Sequence, residues 1–116
     1  MKLKITIGET VLTATMYDNP TTRDFISLLP LTLILTDYNG TEKISNLPKR
    51  LSTQDAPAGY KPYAGDITLY APWGNLALFY KDFPYSSGLI VLGKIDTGIE
   101  ALKISGTVNM KMELIR

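Results

Sequence analysis

The segment from Gly65 to Tyr80 constrains the fold of this chain more than any other. In its first half, apolar and polar side chains alternate, which is the period of a β-strand whose two faces meet different surroundings. The stretch Leu76–Tyr80 is apolar on both faces, as in a strand in the middle of a closed sheet. The only tryptophan, Trp73, falls in the short turn between the halves. The segment therefore predicts two strands joined by a tight turn.

The same kind of alternation predicts further strands. Lys2–Tyr17 is predicted to form a hairpin, and Val108–Leu114 alternates again near the end of the sequence. Leu31–Tyr38 and Leu89–Ile95 are apolar strands, although the pattern leaves open which face of the first is buried. Because closing a sheet removes its exposed edges, we expect the first and last strands to pair.

Two short helices are predicted. Asn19 can cap a helix, Pro20 suits its first turn, and Pro30 is expected to set its end. Thr97 and Glu100 have the spacing of a capping box, which predicts one or two helical turns near Thr97–Leu102.

Two loops interrupt the strand pattern. The 27 residues from Asn39 to Gly65 contain three prolines and lack a sustained period, although Thr41–Leu47 can hold a short strand. Asp82–Gly88 forms the second loop. Many short strands and few helices favour a mainly β, closed barrel of about seven or eight strands, within a single domain of residues 1–116.

The amino-acid composition excludes several kinds of catalytic, metal-binding and nucleic-acid-binding site. The chain has neither cysteine nor histidine, so thiolate catalysis, histidine general bases and histidine- or cysteine-liganded metals are ruled out. Its net charge is +1, without the basic stripe of a nucleic-acid binder or the basic cluster that attracts a membrane surface. We expect no metal and no cofactor. The N-terminus alternates instead of forming an apolar signal core, from which a cytoplasmic location is expected.

Several motifs spread over nearly the whole length make the chain resemble the bacterial cyclophilin-like domain family. The resemblance implies a cyclophilin-type β-barrel and, for some relatives, a link to flavodoxin-like proteins. The motifs that carry it are Asp18–Phe25, Leu28–Leu31, Asp37–Lys43, Gly65–Asp66, Pro72–Tyr80 and Leu92–Ile95.

The resemblance does not carry over the catalytic residues of true cyclophilins. Those enzymes isomerise X-Pro bonds with an arginine, a phenylalanine-lined pocket, a glutamine and a histidine. This chain has no histidine, and its arginines are Arg23, Arg50 and Arg116. Arg23 belongs to the predicted helix and Arg116 is terminal, which leaves Arg50 in the long loop as the one substitute.

Candidate ligand-binding residues lie in three loop regions, and each has a structural alternative. Around the Asn-Gly turn, Tyr38, Glu42 and Lys43 form either a cleft rim or a solvated turn. Trp73, followed by Asn75, either exposes its indole as a stacking platform or plugs one end of the barrel.

The third region flanks the loop at 82–88. Its aromatic and basic side chains hold an anionic or aromatic ligand or simply anchor the loop; they are Tyr80, Lys81, Tyr85 and Ser86. Aspartates at strand ends are expected to serve turns and caps and not a paired-carboxylate site; they are Asp37, Asp66, Asp82 and Asp96.

The sequence thus favours a binding module that holds a peptide or small-molecule ligand in a loop-lined cleft, without assigned catalytic residues. One alternative is a peptidyl-prolyl isomerase with an altered catalytic set, in which Arg50, Lys43 or Lys81 supplies the donor to the prolyl nitrogen. Another, implied by the resemblance alone, is an accessory domain that acts with a flavodoxin-like protein.

Overall fold

The computed structural model describes residues 1–115, and Arg116 lies outside them. Eight long strands and one α-helix form its frame, with two further strands of two residues each. The bounds are β1 (Lys2–Ile7), β2 (Thr10–Met16), α1 (Pro20–Ile26), β3 (Leu31–Tyr38), β4 (Glu42–Asn46), β5 (Gly59–Tyr60), β6 (Asp66–Tyr70), β7 (Asn75–Phe79), β8 (Ser86–Ser87), β9 (Leu89–Ile95) and β10 (Val108–Leu114).

The eight long strands close into an antiparallel barrel in the order β1-β10-β3-β4-β7-β6-β9-β2, and β2 returns to β1. The expected pairing of the first and last strands is confirmed, with Leu3 opposite Leu114 and Ile7 opposite Met110. The strands β5 and β8 form a separate small sheet. The fold is therefore the mainly β, closed barrel that the alternation predicts.

Strand periodicity decides which side chains fill the barrel. In β3, Leu33 and Leu35 are buried while Ile34 between them is exposed, which resolves the face that the sequence left open. In β7 both faces are buried, but in different clusters. Leu76 and Leu78 belong to the interior of the barrel, whereas the alternate residues of β7 pack in a second apolar cluster on its outer face.

Helix α1 begins as predicted and ends earlier than predicted. The Asn19 side chain accepts a hydrogen bond from the Thr22 amide at 2.8 Å, and Pro20 occupies the first turn. The helix ends at Ile26, so the expectation that Pro30 sets its end is wrong. With seven residues, α1 is the longest helix of the described chain, and no helix in residues 1–115 is long and apolar enough to cross a bilayer.

The second predicted helix is a 3₁₀ helix at Ile99–Lys103. Its N-cap is Gly98 in the left-handed region, with φ of 86°, and no side chain caps it. The capping box predicted for Thr97 and Glu100 is therefore wrong, because the chain enters this turn through the backbone freedom of Gly98.

The long loop contains a barrel strand. The short strand that the sequence allowed at Thr41–Leu47 is present as β4, hydrogen-bonded to β3 on one side and β7 on the other. The irregular part of this segment therefore begins after Asn46. It includes β5, which pairs with β8 of the second loop across the outer face of the barrel.

Candidate ligand-binding site

A cavity of about 200 Å³ opens on the outer face of the barrel, over the strands β3, β4, β7 and β6. Five of its lining residues are aromatic, and one is charged. The lining consists of Tyr38, Glu42, Ile44, Tyr70, Trp73, Asn75, Phe79, Phe83, Ser86 and Leu89.

Strand register brings these side chains together. Glu42 of β4 lies opposite Tyr38 on one neighbouring strand and opposite Phe79 on the other. Asn75, at the start of β7, lies opposite Tyr70 of β6. Directly opposed residues of antiparallel strands share a face, so all five side chains belong to the outer face of the sheet.

The turn between β6 and β7 places Trp73 at the mouth of the cavity. The Gly74 amide donates to the Tyr70 carbonyl at 2.8 Å, and Gly74 adopts a φ of 71°, which a residue with a side chain rarely adopts. Trp73 is 58% exposed, and its ring is nearly perpendicular to those of Tyr38 and Tyr70, at centroid distances of 5.8 and 5.3 Å.

The prediction that Trp73 plugs the barrel is therefore wrong, and its alternative, an exposed indole, describes the structure. The apolar interior consists mainly of aliphatic side chains from the strands. At the third position of a four-residue turn, the indole projects outward, and it packs against two tyrosines of the outer face.

Asn75 lines the cavity and carries a buried, unsatisfied acceptor. The residue is 4% exposed, and its Nδ2 donates to the Leu76 carbonyl at 3.1 Å. A carbonyl only accepts, so this bond fixes the amide nitrogen toward Leu76 and turns Oδ1 the other way. Among the described residues, Oδ1 of Asn75 has no hydrogen-bond partner. Buried polar atoms are nearly always paired, which makes this oxygen the most unusual atom of the site.

Glu42 is the only charged residue in the described lining of the cavity. Burial raises the pKa of its carboxyl group above the ordinary value, and a hydrogen bond from the Thr41 hydroxyl, at 3.1 Å, opposes that rise in part. The cavity thus combines aromatic walls with a partly desolvated acid.

Lys43, expected at the cleft rim or solvated beside the turn, is fully buried, so that placement is wrong. Neighbouring residues of a strand point to opposite faces, and Glu42 takes the outer face. The Lys43 ammonium group lies under the segment 104–106, where it donates to the carbonyls of Ile104 and Gly106 at 2.5 and 2.8 Å. It also pairs with Asp37 at 3.2 Å.

Tyr80 belongs to the same buried group and not to the cavity. Its hydroxyl donates to Asp37 at 2.9 Å, and the side chain is buried. Burial, followed by the Asp37 hydrogen bond, raises the pKa of the Tyr80 hydroxyl. Tyr80 therefore joins the end of β7 to Asp37 of β3.

The remaining candidates separate into lining and non-lining residues. Ser86 lines the cavity, while Lys81 is exposed outside it. Tyr85 is 59% exposed and packs over Gly59, where an added Cβ would lie 2.7 Å from the tyrosine Cζ.

Arg50 lines a separate cavity behind the turn, and its guanidinium donates to the Ala71 carbonyl at 3.2 Å. None of the three basic residues named for the isomerase alternative lines the aromatic cavity.

The four strand-end aspartates are engaged with protein donors. Asp96 accepts from three side chains, Asp66 from the Tyr60 hydroxyl and the Tyr63 amide, and Asp82 from the Ala64 amide. Within residues 1–115, no three carboxylates gather closely enough to hold a metal ion.

Sequence reasoning missed half of the lining, namely Ile44, Tyr70, Phe79, Phe83 and Leu89. One signal was available, because the apolar residues on both faces of Leu76–Tyr80 require a cover on the outer face as well. The remaining members depend on which strands are neighbours in space, and the chain order does not give that.

The chain is similar to a known protein family and to a solved structure. A family model described as "Cyclophilin-like family" matches residues 5–113. No curated protein matches the chain. Among solved structures it is similar to the "hypothetical protein AF2241 from Archaeoglobus fulgidus", whose solution structure has 19% sequence identity, covers 97% of this chain and 93% of its own, and gives a TM-score of 0.67. At that identity the likeness shows the fold alone.

Proposed function

The chain belongs to the cyclophilin-like family, and on that premise we propose that it is a binding module whose ligand enters the aromatic cavity on the outer face of the barrel. The ligand is a peptide segment or a small molecule, and the protein holds it without carrying out chemistry on it. Sites of this kind are mostly apolar, with a few polar groups that fix the orientation of the ligand.

The observation that carries the proposal is the unpaired Oδ1 of Asn75. Leaving a buried acceptor without a donor costs about 1–3 kcal/mol, so a fold retains one only where something compensates. Because this oxygen is itself buried, a ligand with an N–H or O–H group reaches it after a small shift of the Asn75 side chain and then supplies the missing donor.

The exposed aromatic side chains support the same conclusion. Trp73 and Tyr38 are large apolar groups left accessible beside the opening. Exposed apolar surface around a concave site is typical of a place where another molecule binds. The cavity is smaller than the roughly 300–1,000 Å³ of pockets for drug-sized molecules, so it fits a group about the size of one side chain.

Trp73 makes the proposal directly testable, because it is the only tryptophan in the sequence and lies at the cavity. The ¹⁵N-labelled protein is titrated with single residues blocked as Nα-acetyl methylamides, namely those of norleucine, phenylalanine and lysine, and with an Ala-Pro-containing peptide. Tryptophan emission and amide shifts are recorded on the same samples.

We expect at least one probe to give saturable changes that are confined to the cavity strands and Trp73. The Asn75→Leu variant, which removes the acceptor, should weaken that binding. If no probe saturates up to about 10 mM, where even binding worth only a few kcal/mol is visible, the proposed function is wrong.

A further inference from the structure

The polar groups of the cavity specify a class of ligand beyond a general apolar one. Glu42 and Asn75 both carry acceptor oxygens, of which Oδ1 of Asn75 is buried, and the described lining contains no positive charge. Arg50, a cation beside the turn, bonds to the Ala71 carbonyl and lines the other cavity. The site therefore lacks cationic and N–H partners for its own acceptors.

The two acceptors lie at different ends of the cavity. Glu42 is opposite Phe79 in the register of β4 and β7, and Asn75 is four residues away from Phe79 along β7. At about 3.3 Å per residue, the backbone positions of Phe79 and Asn75 are roughly 13 Å apart. One small ion is thus a poor match, while a ligand with two polar ends joined by an apolar stem is a good one.

Aromatic rings line the space between the ends. Tyr38 is the register neighbour of Glu42, Tyr70 is the neighbour of Asn75, and Trp73 contacts both tyrosine rings at nearly right angles. Aromatic faces attract alkylammonium and guanidinium groups, most strongly where water is excluded. They also pack against methylene stems.

We propose that the cavity binds a basic residue of the lysine type, with its cationic group at Glu42, its methylene stem along the Tyr38 and Trp73 rings, and a backbone N–H donated to Oδ1 of Asn75. This inference rests on the proposed function, since it names the ligand class of the same site. A lysine carries a four-carbon stem between its amide and its ammonium group, which matches two acceptors separated by apolar walls.

The test compares two probes that differ in the ammonium group alone, Nα-acetyl-lysine methylamide and Nα-acetyl-norleucine methylamide. Affinities are measured by Trp73 fluorescence and by amide shifts. We expect the lysine probe to bind about tenfold more tightly, which is the size of one charge-assisted hydrogen bond.

Two substitutions show which side chain binds the ammonium group and which accepts the backbone N–H. Glu42→Gln should abolish the preference for lysine, and the dispersion of its amide shifts shows that the variant is folded. Asn75→Leu should weaken both probes by a similar factor, because both donate the same backbone N–H, and the preference for lysine should remain. Glu9→Gln removes an exposed acid in the β1–β2 turn, far from the cavity lining, and is the charge-matched control.

The outcomes separate the inference from the proposed function. If norleucine binds as well as lysine, or the preference survives Glu42→Gln, the ligand class is wrong while the binding site stands. If neither probe binds, and neither do the other blocked residues, the proposed function is wrong as well.

A further pair of probes tests whether the basic residue belongs to a peptide segment or to a free amino-acid derivative. Blocked Ala-Lys-Ala is compared with the single blocked lysine. Tighter binding of the tripeptide assigns the site to a peptide segment, and weaker binding assigns it to a free amino-acid derivative; both outcomes support the shared chemistry.

Discussion

The ammonium group of Lys43 lies 3.2 Å from the carboxylate of Asp37 and is completely buried. Two backbone carbonyls, of Ile104 and Gly106, accept its other hydrogen bonds. A buried cation with these acceptors is compensated, whereas its removal leaves the two carbonyls without this donor, and Asp37 keeps only its bonds from Tyr80 and the Gly106 amide. The pair thus ties β3 and β4 to the segment before β10.

Replacing Lys43 with methionine is expected to lower the free energy of unfolding by about 2–4 kcal/mol, because the side-chain volume is kept and the hydrogen bonds are lost. Urea denaturation measures the change. Lys81→Met is the matched control at an exposed site, and its effect should stay within about 0.5 kcal/mol. Equal effects of the two substitutions would contradict the structural role of Lys43.

Asp96 gives the stability a defined dependence on pH. Hydrogen bonds from Thr15, Lys2 and Thr13 lower the pKa of its carboxyl group to about 2. The folded state therefore favours the ionised form more than the unfolded state does. The resulting stability is present in full above the ordinary aspartate pKa and is lost as the pH falls from about 4 toward 2.

Asp96→Asn should accordingly destabilise the protein by about 1–2 kcal/mol at neutral pH, and the difference from the unsubstituted protein should vanish near pH 2. Chemical denaturation across this range measures both. Asp18→Asn breaks an exposed ion pair with Arg23 instead, and should change the stability by less than about 1 kcal/mol at any pH. A constant difference for Asp96→Asn down to pH 2 would refute the linkage.

Alternation predicted most of the strands and their buried faces, because both depend on local periodicity, while the closure of the barrel was expected from the protection of sheet edges. It did not give Lys43, since lysine is almost never fully buried and the carbonyls that bind it come from a distant segment. Trp73 was misassigned for the opposite reason: tryptophan is usually buried, but here its turn points it outward.

The cavity was predictable only in part. Tyr38, Glu42, Trp73 and Asn75 were candidates because they flank turns, and turns carry many binding residues. Tyr70 was not, since its approach to Asn75 depends on the register of β6 with β7. The unpaired state of Asn75 Oδ1 has no signal in the sequence, because it requires knowing every donor around it.

Glu42 is expected to limit the stability of the protein. Because burial raises the pKa of its carboxyl group, the folded state holds the proton more tightly than the unfolded state, and ionisation opposes folding. Glu42→Gln should therefore raise the free energy of unfolding at neutral pH, by up to about 1 kcal/mol.

That gain should disappear below about pH 4, where glutamate is protonated in both states and carries no charge. Urea denaturation at neutral pH and below about pH 4 measures the gain in the free energy of unfolding. Glu9→Gln should show no such gain, because Glu9 is exposed. If Glu42→Gln is less stable than the unsubstituted protein at neutral pH, the carboxylate is favourable to the fold and Glu42 does not limit the stability.

Trp73→Ala separates binding from packing, because the indole is largely exposed and contacts two tyrosine rings instead of the barrel interior. We expect it to lower the free energy of unfolding by only about 1 kcal/mol and to weaken the binding of blocked lysine by about tenfold. Tyr85→Ala is the matched control, since Tyr85 is equally exposed but does not line the cavity, and it should leave that affinity unchanged. Amide shifts measure the affinity of both variants for blocked lysine, because Trp73→Ala removes the fluorophore. If Tyr85→Ala weakens binding as much as Trp73→Ala does, the ligand lies over the loop and not in the cavity; if Trp73→Ala instead unfolds the protein, its side chain stabilises the fold after all.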